Sequence, residues 1–318
     1  MQMPLRISSI QRRRAIAATL IALGCASPPA TTAHANSNDR CTNTATAAQR
    51  ACKQEVASNY WLARGMCENL PAAADRAACF RDAAITRQSD SGDCLAQLSA
   101  RRTSCDDLGE NAYAPAIVPA NFTTTIDNPF LPLVPGTTFV YDNTNGETVT
   151  VAVTHDTQEI LGVTSVVVHD TAAIGANVIE DTLDYYAQDL QGNVWYLGED
   201  TAEYDHGIVI GVGGAWRAGV NGAKPGIVMK ANPSVGDVYR QEFLLGEAED
   251  QARIVATNAN ATVPFGGTYT DCLETTETSS LEPDANESKF FASGVGLVLV
   301  IDNATGDREE LVSVAVEP

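Results

Sequence analysis

Six cysteines between residues 41 and 105 constrain this chain more than any other feature. Their spacing, C-x10-C-x14-C-x11-C-x14-C-x10-C, reads the same in both directions. Cys41 and Cys105, Cys52 and Cys94, and Cys67 and Cys79 therefore share one midpoint, residue 73. Three concentric pairs are the pattern of a chain doubled back on itself. The flanks are rich in helix formers: Ala, Arg, Glu, Gln and Leu from Thr44 to Leu70, Ala and Arg from Ala72 to Arg87, and a further helical run from Cys94 to Arg102. Pro71 sits where a helix starts well and continues badly. At about 100° per residue, the cysteine steps return to within about 20° to 60° of one face, so all three cysteines of each arm face the other arm. The polar stretch Gln88-Ser89-Asp90-Ser91-Gly92-Asp93 predicts a kink or interruption in the second arm.

The spacing thus predicts Cys67–Cys79, Cys52–Cys94 and Cys41–Cys105, one of about fifteen connectivities open to six cysteines. Two helices of this size bury too little apolar surface to stand alone, which gives the bridges a physical role. The inner one closes a short loop and contributes ~3 kcal/mol through the unfolded state. The outer two add less each, because the inner one has already shortened the path. A zinc site is the weaker alternative: the segment has no C-x2-C pair and no histidine. Cys272, in the strand-like run Tyr269 to Thr276, reads as a buried free thiol. A catalytic thiol would want a histidine partner, and none is placed near it.

Such cysteine usage belongs to an oxidising compartment, and the N-terminus agrees. Arg6, Arg12, Arg13 and Arg14 precede an apolar run from Ala15 to Ala26, and Ala33-His34-Ala35 offers a small-residue exit before Asn36. This is the order of a signal peptide over residues 1–35, with an apolar run too short for a stop-transfer helix. Leu23-Gly24-Cys25 is a second exit, after which a lipid-modified Cys25 would anchor the protein to a membrane; Ala22, where Leu is usual, makes it the lesser alternative. No later stretch is apolar enough to span a membrane. The expected location is periplasmic or extracellular.

Residues 36–111 form the expected helical hairpin and 112–122 an extended linker, Ala-Tyr-Ala-Pro-Ala-Ile-Val-Pro-Ala-Asn at its heart. Residues 123–318 form an acidic β-rich domain. From residue 113 on there are seven basic and thirty acidic residues, a balance that repels nucleic acid and anionic lipid and attracts cations or basic partners. Apolar and polar residues alternate, with turn signals between runs. Phe139-Val140-Tyr141, Asn145-Gly146 and then Val149, Val151 and Val153 predict a hairpin with a two-residue turn at positive φ. Further turns are expected at Leu161-Gly162, Leu190-Gln191-Gly192 and Thr305-Gly306, and Gly211 to Gly226 reads as a long loop. The fold class is α+β: a disulfide-stapled α-hairpin followed by an antiparallel β-meander, a curved sheet or barrel.

The strings EDTLDYYAQDLQGNVWYLGEDT (180–201), PGIVM (225–229), YRQEF with GEAED (239–250), and SLEP followed by KFFASGVGLV (280–298) resemble a family of uncharacterised exported bacterial proteins. The resemblance covers most of residues 113–318, and the cysteine-bearing hairpin is similar to a common N-terminal companion. It implies an envelope location and a bacterial source, and brings no catalytic residues. The ending around Gly294-Val295-Gly296 is also similar, over a short stretch, to lipid-carrier-like half-barrels.

The leading candidate site is the hairpin at 180–201. Glu180, Thr182, Asp184, Tyr186 and Gln188 share one face of its first arm. With the turn near Gln191, Tyr196 and Asp200 fall on the same side of the second arm. Carboxylates beside tyrosines suit a hard cation such as calcium, or a sugar; the plainer reading is a solvated face. His155 and His169 are equidistant from Gly162 and each precedes Asp, a second metal candidate if the turn centres there, and otherwise two ordinary strand histidines. His206 reads as a turn residue, and Arg217 and Arg240 as cations paired with carboxylates of their own domain. No G-x-S-x-G, H-E-x-x-H, phosphate-binding glycine loop or haem motif is present. Three readings follow: a non-catalytic exported protein binding a cation, small ligand or partner through an acidic sheet face; a hydrolase of envelope or extracellular polymers with Asp184 and Asp200 as acid–base pair; or a carrier sheltering an apolar ligand.

Overall fold

The computed structural model describes residues 39–317. The expected signal peptide over 1–35, its two candidate exits and Cys25 lie outside the described residues. The chain divides into two compact units between Tyr113 and Ala114.

The first unit is a helical hairpin, α1 (Arg40–Glu68) and α2 (Ala73–Leu108). Cys41–Cys105, Cys52–Cys94 and Cys67–Cys79 bridge it, the three pairs that the mirrored spacing predicts. Beyond the cystines, its buried apolar residues are few and mostly small: Ala45, Ala48, Val56, Ala83 and Leu98. At the open end, the Glu110 carboxylate accepts from the Thr42 backbone N–H (3.0 Å) and hydroxyl (2.6 Å).

The expected interruption at 88–93 does not occur; α2 runs through it without a break. Cystines at Cys79 and Cys94 hold the helix to α1 on both sides of this polar stretch, and the Ser91 hydroxyl donates to the Arg87 carbonyl (2.7 Å). Tertiary staples here override local propensity. Gly92 is left mid-helix with open space where a Cβ would stand. Gly92→Ala is expected to stabilise the hairpin by about 1 kcal/mol, read as a higher urea midpoint of the helical signal. A lowered midpoint would mean that the backbone at residue 92 needs glycine.

The second unit is a sixteen-stranded antiparallel sheet, nearly closed and barrel-shaped. Its strands are β1 (Phe122–Thr123), β2 (Thr137–Asn143), β3 (Glu147–Ile160), β4 (Val163–Ile174), β5 (Asn177–Asp189), β6 (Val194–Asp205), β7 (Ile208–Gly211), β8 (Trp216–Arg217), β9 (Lys224–Met229), β10 (Val238–Arg240), β11 (Glu242–Phe243), β12 (Asp250–Val263), β13 (Gly267–Ser279), β14 (Asn286–Ala292), β15 (Gly296–Asp302) and β16 (Arg308–Val316). The main order is β10-β12-β13-β14-β15-β16-β2-β3-β4-β5-β6-β9-β11. β1 adds to β5, so Phe122 belongs to the sheet rather than to a linker. β7 and β8 add to β6, which makes part of the expected 211–226 loop strand.

Two turns differ in kind from expectation. At Asn145-Gly146 only Gly146 has positive φ, and its N–H donates to the Asn143 carbonyl (2.9 Å). That is a four-residue turn ending on a left-handed glycine, which lengthens the loop beyond the two residues the Asn-Gly pair suggests. The two-residue turn with both residues at positive φ occurs instead at Leu161-Gly162.

Closure depends on one short segment. β10 pairs with β12 and β11 pairs with β9, yet only Gln241 separates them. Residues 238–243 therefore join the two ends of the sheet. They pass so close to Gly226 that a Cβ there would stand 2.4 Å from the Arg240 carbonyl oxygen. At one end of the barrel, the segment Ile126–Leu133 lies across the turns. The Asn128 side-chain amide donates to the Gly192 and Lys230 carbonyls, and the Gly294 N–H donates to the Pro129 carbonyl. Ile126, Leu131 and Leu133 are buried beneath it.

Candidate functional site

Strand alternation and burial divide the barrel interior into two halves. Under the 126–133 segment it is apolar: Val151, Val153, Val166, Val168, Leu273 and Phe291 are buried there. Toward the other end, the same strands continue inward with Glu147 on β3, Asp170 on β4, Asp184 and Glu180 on β5, Glu199 on β6, Glu277 on β13, Lys289 on β14 and Glu309 on β16, all buried. In the β domain, Lys289 is the one buried Lys or Arg among the described residues.

On the wall made by β5 and β6, a hydrogen-bonded line runs through three carboxyl groups. The Thr182 hydroxyl reaches Glu180 Oε1 (3.3 Å) and Thr201 Oγ1 (2.9 Å), and Thr201 donates to Glu199 Oε2 (3.3 Å). The Tyr196 hydroxyl lies within hydrogen-bond reach of both Asp184 Oδ1 and Glu199 Oε2. A phenol has one hydrogen, so both contacts are satisfied only when one of the two carboxyls carries a proton. Tyr186 stacks on Tyr196 with centroids 4.9 Å apart, and Trp216 meets Tyr196 edge-on at 5.3 Å. Gly198 permits this: a Cβ there would stand 2.5 Å from the Trp216 carbonyl oxygen.

On the opposite wall, Lys289 Nζ lies 2.8 Å from Glu277 and 3.5 Å from Glu287. Burial raises the Glu287 carboxyl above its usual range, with Glu277 and Asp250 adding to the shift and Lys289 opposing it. Burial likewise holds Glu309 well above the carboxylate range, with Glu287, Asp170 and Glu147 adding to it. Burial and the surrounding carboxylates also keep the Tyr141, Tyr186 and Tyr196 hydroxyls protonated.

Of the expected site, Glu180, Asp184, Tyr186 and Tyr196 do share the inner face, but they are buried rather than solvated. Gln188 is committed elsewhere: its amide oxygen accepts from the Asp127 and Asn128 backbone N–H groups (3.0 and 2.9 Å). Asp200 is on the other face. The β5–β6 register shifts between Tyr185 and Tyr186, so that Tyr186 faces Tyr196 while Tyr185 faces Gly198. The extra residue flips the parity of β6, which brings Glu199 in and turns Asp200 out. There Asp200 accepts from Arg217 (2.7 Å) and from the Tyr185 hydroxyl (2.8 Å), as the expected cation pairing of Arg217 requires. Tyr185 is pushed up to about 12 by burial and by Asp200.

His155 and His169 do not meet. The β3–β4 register shifts between Val153 and Thr157, so His169 faces Ala152 and bonds Asp181 (3.0 Å). His206 occupies a turn at φ 49°, as expected. Arg240 stacks over Phe243 at 4.7 Å. Cys272 is a buried free thiol whose pKa burial raises, the opposite of an activated nucleophile. Among the described residues, no three His, Cys, Asp or Glu side chains stand close enough to hold a metal ion. Glu199, Asp170, Glu277, Lys289 and Glu309 escaped the sequence reading. The one signal for them is the spacing of Thr275 with Glu277 and Glu287 with Lys289, polar residues two apart where the same strands are elsewhere apolar.

The raised carboxyls give a pH dependence of defined sign. Glu287 and Glu309 have folded pKa values above their unfolded ones, so their contribution is fully present below the unfolded value, near ~4.3, and is lost as pH rises toward the folded values. The β domain is therefore expected to melt higher at pH 5 than at pH 8, by about 1.4 kcal/mol for each unit of raised pKa. Glu309→Gln should flatten the profile; a Tm that falls monotonically from pH 8 to pH 5 would contradict it.

No protein-family model, curated protein or solved structure matches this chain.

Proposed function

We propose that the chain is an exported, non-catalytic binding protein whose β domain holds a cation or small polar ligand in the carboxyl-lined half of its interior. One observation carries this reading: the fully buried Tyr186 hydroxyl, on the inner face beside Asp184 and Tyr196, makes no hydrogen bond within the protein. Buried polar groups are almost always bonded, so an inward-facing hydroxyl without a partner calls for one from outside the chain. The three cystines place folding in an oxidising compartment. The likeness of the β domain to exported bacterial proteins supports a periplasmic or extracellular site of action.

The alternatives are less well supported. An acid–base pair of Asp184 and Asp200 is split between the two faces of the sheet. Asp184 is 6 % exposed, out of reach of a polymer chain. The carboxyl groups likewise oppose an apolar ligand. Native mass spectrometry of oxidised protein purified from a periplasm at neutral pH is the test. The expected result is an adduct that disappears in the double variant Asp184→Asn/Glu199→Gln while the fold is kept. A bare mass in the parent protein, with no cation or polar additive raising its Tm, would remove the reading.

A further inference from the structure

The structure assigns a separate binding surface to the free edge of β7, which receives an extended, basic segment of a partner protein as an added strand. β7 pairs with β6 alone, and on the side away from β6 no backbone hydrogen bond reaches residues 208–211 among the described residues. Such an edge presents unpaired N–H and C=O groups to any strand that can lie beside it. Its side chains are equally unprotected: Ile208, Val209, Ile210 and the following Val212 are 69, 51, 60 and 60 % exposed. Successive residues of a strand point to opposite faces, so the strip is apolar and open on both. Ile210 has no opposite residue on β6, because the β6–β7 register slips there. Strand edges are ordinarily guarded by charged side chains or proline, and the segment from Gly207 to Trp216 contains neither. A contiguous exposed apolar strip of this kind marks an interaction site.

Backbone chemistry and charge choose the occupant. A lipid surface would take up the apolar side chains but offers the edge N–H and C=O groups no partner inside its hydrocarbon. A second copy of the chain would supply a strand, but it brings the same charge: from residue 113 on, seven basic residues stand against thirty acidic ones. A strand from a basic partner meets every condition. Its backbone extends the ladder beyond β7, and its alternate apolar side chains lie on Ile208, Val209 and Ile210. Its Lys or Arg residues meet the field of the domain, locally that of the exposed Asp205, which pairs with Ile208 across β6 and β7. Being exposed, this surface is independent of any ligand in the interior.

The probes are acetylated peptides that alternate Val, Ile or Tyr with Thr and carry Lys at both ends. Their controls are the same peptides ending in Glu, and Lys-ended peptides N-methylated at alternate residues so that they cannot extend a ladder. Each is titrated into the oxidised full-length protein at low ionic strength. Lys-ended members are expected to bind with Kd below ~1 mM, and both controls about tenfold more weakly. Added salt should weaken binding, and amide exchange in residues 208–211 should slow when the peptide is bound. Ile208→Ser with Ile210→Ser changes only exposed side chains, so the double variant should keep the parental Tm and lose about tenfold in affinity. Three outcomes overturn the assignment: no binding by any Lys-ended peptide, equal binding by the N-methylated ones, or equal binding by the double variant. A dimer in light scattering that the double variant abolishes would overturn it in favour of a second copy. Co-sedimentation with phosphatidylethanolamine–phosphatidylglycerol vesicles, lost in the double variant, would overturn it in favour of a membrane.

Discussion

Full reduction of Cys41–Cys105, Cys52–Cys94 and Cys67–Cys79 is expected to unfold the helical hairpin while the β domain stays folded. Helices of 29 and 36 residues are held by little besides the bridges, since their shared interior is mostly alanine. The inner bridge contributes ~3 kcal/mol by restricting the unfolded chain, and the outer two add less each. Their combined effect rivals the ~5–15 kcal/mol that holds a typical domain together. The β domain has no disulfide, and its one free thiol, Cys272, is unaffected by reductant. Circular dichroism at 222 nm should lose most of its helical component on reduction, while near-ultraviolet signals from Tyr186, Tyr196 and Trp216 persist. Replacing only the inner pair, Cys67→Ser with Cys79→Ser, should lower the hairpin's stability by ~3 kcal/mol. Retention of full helicity with all six thiols shown free by mass would refute the claim that the staples supply the fold.

Gly226→Ala is expected to open the barrel seam, at a loss of about 4 kcal/mol, a fall in Tm on the order of 10 °C. The added Cβ would stand 2.4 Å from the Arg240 carbonyl oxygen and 2.5 Å from that of Gln241. Both are backbone atoms of the segment that joins β10 to β11, so no flexible side chain can yield. The register pairs Glu242 with Pro225 and Phe243 with Lys224 are few, and the seam has little else to spare. Hydrogen exchange should quicken in residues 224–229 and 238–243 before other strands. An opened seam also admits water to the carboxyl groups, so the gain in Tm on acidification should shrink in the same variant. A variant with parental Tm and parental exchange along β9 would show that the seam accommodates a methyl group.

Much of the candidate site was legible in part. The run from Glu180 to Tyr186 identifies the right face of β5 because side chains alternate along a strand whatever happens beyond it. Position on β6 was not legible. Parity there depends on a bulge beside Tyr185 and Tyr186, and one inserted residue exchanges Asp200 for Glu199. The same kind of irregularity, between Val153 and Thr157, separates His155 from His169. Symmetric distances from a turn are a guide only when the strands between are regular. In the helical arm, composition suggested a break at 88–93, whereas cystines on both sides hold the helix through it.

The cystine pairing and the antiparallel order of strands were determined by sequence alone. Both are set by distances along the chain, between mirrored thiols in one case and between successive turns in the other. Only the tertiary structure decided that the sheet closes and that its acidic face points inward. Closure brings Gly226 against Gln241, and burial sets Asp184 and Glu199 on the wall of the interior opposite Lys289. Those are meetings of distant strands whose register is fixed by bulges and by packing, and no local pattern of residues encodes them.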